Sequence, residues 1–177
     1  MATQFPIVAL AARVKVMIFD VDGVLTDGSL TYSADGEATK TFFVLDGLGI
    51  QLLQRTGVQT AIISARRSPI VDRRAADLGI NHVFQGQRDK RLAFAELLQK
   101  TGVTAEECGY IGDDVIDLPL LSRVGFAVTV PSGHPEVQHR AHYVTKNPGG
   151  RGAVREVCDF VMRAQGTYEQ ALAPYFA

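Results

Sequence analysis

The chain has no tryptophan, only two cysteines, and no apolar run long enough to cross a bilayer. Each absence closes off a class of protein. Cys108 and Cys158 stand far apart, so they suggest neither a thiol metal cluster nor a disulfide framework. They read as buried small hydrophobes in a reducing cytoplasm. His82, His134, His139 and His142 lack zinc-ligand spacing backed by thiols or a third ligand, and read as structural or surface residues. An excess of one charge is missing too, because 18 basic residues face 19 acidic ones for a formal net charge of −1. Without a basic footprint, neither nucleic acid nor an anionic membrane is an expected partner. Met1 to Ala12 is mildly apolar, but Gln4 and Pro6 interrupt it and it has no basic start, so it does not read as a signal peptide.

What is present is enough apolar material for a core: 46% of 177 residues are hydrophobic, which suits one domain over 1–177. Strand-like and helix-like segments alternate along it. Val16 to Phe19 is a continuous apolar strand, and residues 29–44 read as a small hairpin flap turning at Asp35-Gly36. A helix follows from Leu48 to Arg55, then a strand from Val58 to Ile63 and a helix after Ser68-Pro69 that ends near Gly79. His82 to Phe84 (strand), Arg88 to Lys100 (helix), Glu107 to Ile111 (strand) and Leu118 to Ser122 (helix) continue the alternation. Phe126 to Val130 (strand) and Ala153 to Arg163 (helix) complete it, leaving a tail at 166–177. The pattern predicts an α/β fold, a doubly wound, Rossmann-like parallel sheet with helices on both faces and no cap domain.

The first strand ends in Asp20 and Asp22, whose side chains, two apart on an extended chain, can face one ligand, while Gly23 lets the backbone turn away. An isolated Asp-x-Asp is more often a cap or an Asx-turn. Here it is followed in order by a strand-end Ser64, by Lys90, and by Gly112-Asp113-Asp114 with Asp117. Taken singly, Ser64 reads as a helix cap and Lys90 as a solvated helix-end charge. Asp114 and Asp117 read as caps or as support for a metal or for Lys90.

The four ordered motifs together resemble the haloacid dehalogenase superfamily of aspartyl phosphotransferases, across nearly the whole chain. That resemblance implies Asp20 as nucleophile, Asp22 as general acid and then general base, and Ser64 and Lys90 as holders of the phosphoryl oxygens. It also implies Mg2+ held by Asp20, by Asp22 through its backbone carbonyl, and by Asp113. A hard cation suits this chemistry, because a carboxylate must approach a phosphate dianion of its own sign.

Thr26-Asp27-Gly28, Asp46-Gly47-Leu48-Gly49-Ile50, Gly86-Gln87 and Gly149 to Cys158 look like the 3-deoxy-D-manno-octulosonate 8-phosphate phosphatases. Similarity to that family implies a phosphorylated sugar acid as substrate and a role on the way to the inner sugar of lipopolysaccharide. It further implies a cytoplasmic homotetramer in which the tail reaches a neighbour's active site. By the same resemblance, Phe43, Val44, Leu45, Asp46 and Gly47 lie beside the sugar and Arg66 and Arg74 contact substrate. Arg151 is a further candidate cation for the substrate's carboxylate or phosphate. Taken alone, Arg74 reads as an exposed helix residue and Arg151 as a surface ion-pair partner.

Two departures bear on substrate identity: Gln51 stands where some relatives carry Arg, and Ala65 where many carry Gly. A phosphatase for a related acid sugar, such as a ketodeoxynonulosonate 9-phosphate, would keep every catalytic residue. A phospho-acceptor signalling module would also combine acidic residues, a hydroxyl and a lysine. Its acidic pair and phosphorylated Asp would, however, come in a different order.

Overall fold

A computed structural model describes residues 5–176, so that Met1 to Gln4 and Ala177, which the readings of the N-terminus and tail include, lie outside the described residues. The chain opens with α1 (Phe5–Ala12) and enters β1 (Val16–Phe19), followed by one wide turn over residues 21–25. The hairpin is β2 (Thr31–Ser33) and β3 (Gly36–Thr39), paired antiparallel and separate from the main sheet. Then come α2 (Val44–Arg55), β4 (Gln59–Ile63), α3 (Pro69–Leu78), β5 (His82–Phe84) and α4 (Lys90–Thr101). The second half holds β6 (Cys108–Ile111), α5 (Leu118–Leu121), β7 (Phe126–Thr129), α6 (Pro135–Arg140) and β8 (Tyr143–Val144). It closes with α7 (Ala153–Ala164) and α8 (Tyr168–Leu172).

The six strands of the main sheet are all parallel, in the order β5-β4-β1-β6-β7-β8, which bears out the doubly wound α/β architecture. Strand periodicity divides the core into two layers. Met17 and Phe19 of β1, Ile62 of β4 and Phe126 and Val128 of β7 pack toward the layer that holds α2, α3 and α7. Val16, Ile18, Ala61, Ile63 and Tyr110 point the other way, toward α4, α5 and α6. Every apolar residue of β1 is fully buried, as expected of a central strand covered on both faces.

Several boundaries differ from the sequence expectation, each for a local reason. The second helix starts at Val44 rather than Leu48, with Asp46 and Gly47 inside its first turns. Glycine reads as a breaker in sequence, but here it permits close packing. A Cβ on Gly49 would lie 2.8 Å from Arg155 Cδ, and one on Gly47 would lie 2.4 Å from an Arg74 guanidinium nitrogen. The fourth helix starts at Lys90 rather than Arg88, because the Asp89 side chain accepts from Arg91 N at 3.1 Å and caps it.

Helix α1 was masked in sequence by Pro6, yet proline in a first helical turn costs no hydrogen bond. Strand β8 and helices α6 and α8 are too short to leave a periodic signal. His134 caps α6, its Nδ1 accepting from Glu136 N, and His142 Nδ1 accepts from Ala127 N on the sheet. Both cysteines are free and buried, and burial pushes the Cys108 thiol up to about 12, which makes it inert. No helix among the described residues is long and apolar enough to cross a membrane. Tail residues 168–175 pack in cis: α8 lies against α2 and α7, and Arg55 Nη1 donates to Tyr175 Oη at 3.0 Å.

Candidate active site

Asp20 continues the register of β1, its N–H donating to Ile111 O at 3.0 Å, before the chain breaks away at residue 21. Being in step with Val16 and Ile18, its side chain falls on the α4 side of the sheet, where Lys90 opens that helix. Gly23, at φ +88°, makes the return possible, and a Cβ there would lie 2.1 Å from Asp113 Oδ2. The loop at 149–152 clamps this turn: Gly150 N donates to Val24 O at 2.9 Å, and a Cβ on Gly149 would lie 1.8 Å from Gly23 O. The glycine-rich segment noted in sequence therefore braces the turn that bears Asp22.

The strand ends of β1, β4 and β6 surround a cleft of about 230 Å³ lined by Asp20, Asp22, Ser64, Arg66, Asp113 and Asp114 among others. Behind it lies a buried polar network. Lys90, only 1% exposed, places Nζ 2.9 Å from Asp20 Oδ1 and donates to Asp117 Oδ1 at 2.6 Å and to Tyr110 Oη at 2.9 Å. Tyr110 Oη donates to the same Asp117 oxygen at 2.6 Å. The other Asp117 oxygen accepts the N–H groups of Asp113 at 2.9 Å and Asp114 at 3.1 Å. Asp117 is thus both a cap and the partner of Lys90. Asp114, by contrast, is exposed and caps with Oδ1 on Val115 N at 2.7 Å.

The electrostatics fit a cation. Burial, reinforced by the neighbouring Asp117 charge, lifts the Asp20 carboxyl to about 7 in spite of Lys90. Burial and the charges of Asp20, Asp117 and Asp114 lift Asp113 to about 7 as well. Asp20, Asp113 and Asp117 each offer a carboxylate oxygen within 4.8 Å of the others. Since Asp117 already accepts four hydrogen bonds, Asp20 and Asp113 are the two with oxygens to spare. An all-oxygen set of this kind suits a small hard divalent ion.

The proposed substrate contacts do not all gather here. Arg66 lines the cleft, and its Nε is 3.7 Å from Asp22 Oδ2. Ser64 and Ala65 also line it. Phe43, Leu45 and Arg151 line a neighbouring groove of about 570 Å³, beside which Val44 is 75% exposed. Asp46 and Gly47 are buried, and the Asp46 carboxylate accepts from Arg155 N at 2.8 Å and Gly152 N at 3.4 Å, capping α7. Arg74 is half-buried, packing against Gly47 with its guanidinium 5.4 Å from the centre of the Phe42 ring. Gln51 faces a separate groove with Asp77 and Leu78.

Sequence reasoning missed Tyr110, Glu37 and Lys40. Lys40 donates to Asp22 Oδ1 and pairs with Glu37 Oε1 at 2.8 Å. A buried-strand tyrosine facing Asp20 was in principle readable from its place in Cys108 to Ile111; the hairpin lysine carried no signal.

Residues 63–156 match the model of the haloacid dehalogenase-like hydrolases. The 3-deoxy-D-manno-octulosonate 8-phosphate phosphatase of Escherichia coli is 45% identical over 165 residues, covering 93% of this chain and 88% of that protein. A crystal structure of the Moraxella catarrhalis 3-deoxy-D-manno-octulosonate 8-phosphate phosphatase, in complex with magnesium ion, phosphate ion and a KDO molecule, is 42% identical. It superposes with a TM-score of 0.95, covering 98% of this chain and 99% of that one. The cobalt-bound phosphatase from Haemophilus influenzae is 43% identical with a TM-score of 0.89, covering 93% of this chain and 99% of that one. The chain belongs to the haloacid dehalogenase-like hydrolases and, within them, to the family of the 3-deoxy-D-manno-octulosonate 8-phosphate phosphatases.

Proposed function

We propose that this protein is a magnesium-dependent phosphoric monoester hydrolase acting on 3-deoxy-D-manno-octulosonate 8-phosphate, in the cytoplasmic supply of the inner sugar of lipopolysaccharide. The observation that carries this reading is the pairing of Asp20 and Asp22 at the end of β1 with buried Lys90 and Asp113, in a chain so similar to relatives of that name. Asp20 and Asp113 would hold Mg2+, with the Asp22 backbone carbonyl as a third ligand. When bound, the ion neutralises charge between carboxylate and phosphate.

An Asp20 carboxylate oxygen attacks phosphorus, forming an aspartyl-phosphate as the bond to the sugar oxygen breaks, and Asp22 gives that oxygen a proton. Asp22 then takes a proton from water, whose oxygen attacks phosphorus; the acyl-phosphate P–O bond breaks, releasing phosphate and restoring Asp20. Ser64 and Lys90 steady the phosphoryl oxygens, and Lys90 is already held in place by Asp117 and Tyr110. Phe43, Val44, Leu45, Arg66 and Arg151 are exposed enough to meet the sugar acid, while the Asp46 carboxylate holds Gly152 and Arg155 of the groove wall and Arg74 packs on Gly47.

Phosphate release from a panel of phosphorylated sugar acids tests the reading. The eight-carbon ester is expected to be preferred, with activity lost in chelator and restored by magnesium. Asp113→Ala should raise the magnesium requirement on the order of tenfold or more. Equal turnover of a nine-carbon ester would remove the substrate assignment, and chelator-resistant turnover would remove the metal.

The assembly belongs to the same proposal: a homotetramer whose tail covers a neighbour's cleft. Tyr175 and Phe176 are 54% and 79% exposed at the end of the tail, and Val115 and Ile116 are exposed at the cleft's rim, apolar surfaces that burial against a partner would favour. Removing residues 173–177, which leaves α8 in place, should slow sugar-acid turnover more than turnover of a small aryl phosphate. Equal kinetics with an unchanged sedimentation profile would confine the tail to its own subunit.

A further inference from the structure

The β2 strand of the hairpin has little to hold it to the body by packing. The β2 residues Thr31, Tyr32 and Ser33 are all exposed, and a two-stranded ribbon is marginal by itself. Its attachments are polar and converge on the cleft. Arg66 Nη2 donates to Tyr32 Oη, and Lys40, one residue beyond β3, sends its side chain inward until only 1% of it is exposed. There Nζ lies between two carboxylates, Glu37 Oε1 at 2.8 Å and Asp22 Oδ1. A lysine so buried is uncommon unless it is paired, and here both partners are in place. The pairing with Asp22 also distinguishes that residue's oxygens: Oδ1 accepts from Lys40, whereas Arg66 Nε stands 3.7 Å from Oδ2, beyond hydrogen-bonding distance.

We infer that Lys40 is a positioning residue for the acid/base step, holding the Asp22 carboxyl through Oδ1 so that Oδ2 carries the proton to and from the reacting oxygens. The hairpin is then part of the catalytic apparatus in addition to flanking it. Glu37 supports the arrangement by holding the other side of the ammonium. This rests on the assignment of Asp22 as acid and base given above, and extends it to a residue of the flap. A carboxyl that swings free costs rate only where a proton must move, so the consequence depends on the leaving group. An unactivated alcohol needs protonation as it departs; a nitrophenolate does not.

The test is single-turnover release of the leaving alcohol by Lys40→Met and Lys40→Arg, using a sugar phosphate that the parent hydrolyses and p-nitrophenyl phosphate. Lys40→Met should release the sugar roughly tenfold more slowly and the nitrophenolate less than about twofold more slowly, with KM for the sugar phosphate little changed. Lys40→Arg, which can still donate to Oδ1, should recover much of the sugar rate. Thermal unfolding of each variant reports whether the fold is kept. An equal fall on both esters would reduce Lys40 to a structural tie, and a raised KM with intact kcat would make it a substrate-binding group; either overturns the inference. Failure of the parent on sugar-acid phosphates would instead overturn the substrate assignment, leaving the leaving-group comparison to be read on any alkyl phosphate the parent accepts.

Discussion

Asp20→Asn is expected to lower steady-state phosphate release by roughly 10³-fold or more, because an amide cannot form the aspartyl-phosphate and removing a nucleophile costs about as much as removing its whole constellation. The fold should survive the change. In chelator it should be as stable as the parent or more so, since burial lifts the Asp20 carboxyl to about 7 and its charge is therefore unfavourable in the folded protein when no metal is bound. Lys90 loses one ion pair but keeps Asp117 and Tyr110. Near-parental turnover by a verified, undeamidated variant would remove the covalent route. A large drop in melting temperature would show instead that the Asp20–Lys90 pair holds the sheet ends together.

Asp117→Ala should have the largest effect on stability. Its carboxylate is fully buried and accepts from Lys90, Tyr110 and two backbone N–H groups, so its loss strands several donors at once. Breaking such a buried charged network costs about 3–5 kcal/mol. Denaturant unfolding in chelator measures it, and Asp117→Asn, which retains one acceptor oxygen, should lose less. A cost of under about 1 kcal/mol would mean that water or a shift of Lys90 replaces these bonds.

The strands and the motif residues at their ends were legible because they are dictated locally. An apolar run stopping at two carboxylates can be seen in Val16 to Asp22 without knowing what packs against it. Long-range companions were not. Asp46 carries the same side chain as Asp20, and only the approach of α7 turns it into a helix cap. Lys40 stands just after β3 and carries no local sign of burial; that burial depends on how the hairpin folds back over Asp22, which no local pattern encodes. Glycine misled in the other direction: Gly47 suggested a late helix start, whereas the bare backbones of Gly47 and Gly49 are where α2 meets Arg74 and α7.

The position of β1 between β4 and β6 sets an order of events during synthesis. Val16–Phe19 pairs with Gln59–Ile62 on one side and with Cys108–Ile111 on the other, always in parallel, so every ladder that β1 joins closes a long loop. Asp20 is translated well before its neighbours Lys90 and Asp117, and the glycines at 149–152 that brace the turn after it come later still. A nascent chain released from the ribosome before those segments emerge would carry Asp20 on an unpaired strand edge, open to association with other chains. Enzymatic activity in this protein therefore marks the end of folding: no partly built intermediate can hold the Asp20 carboxylate against Lys90 beside the braced turn.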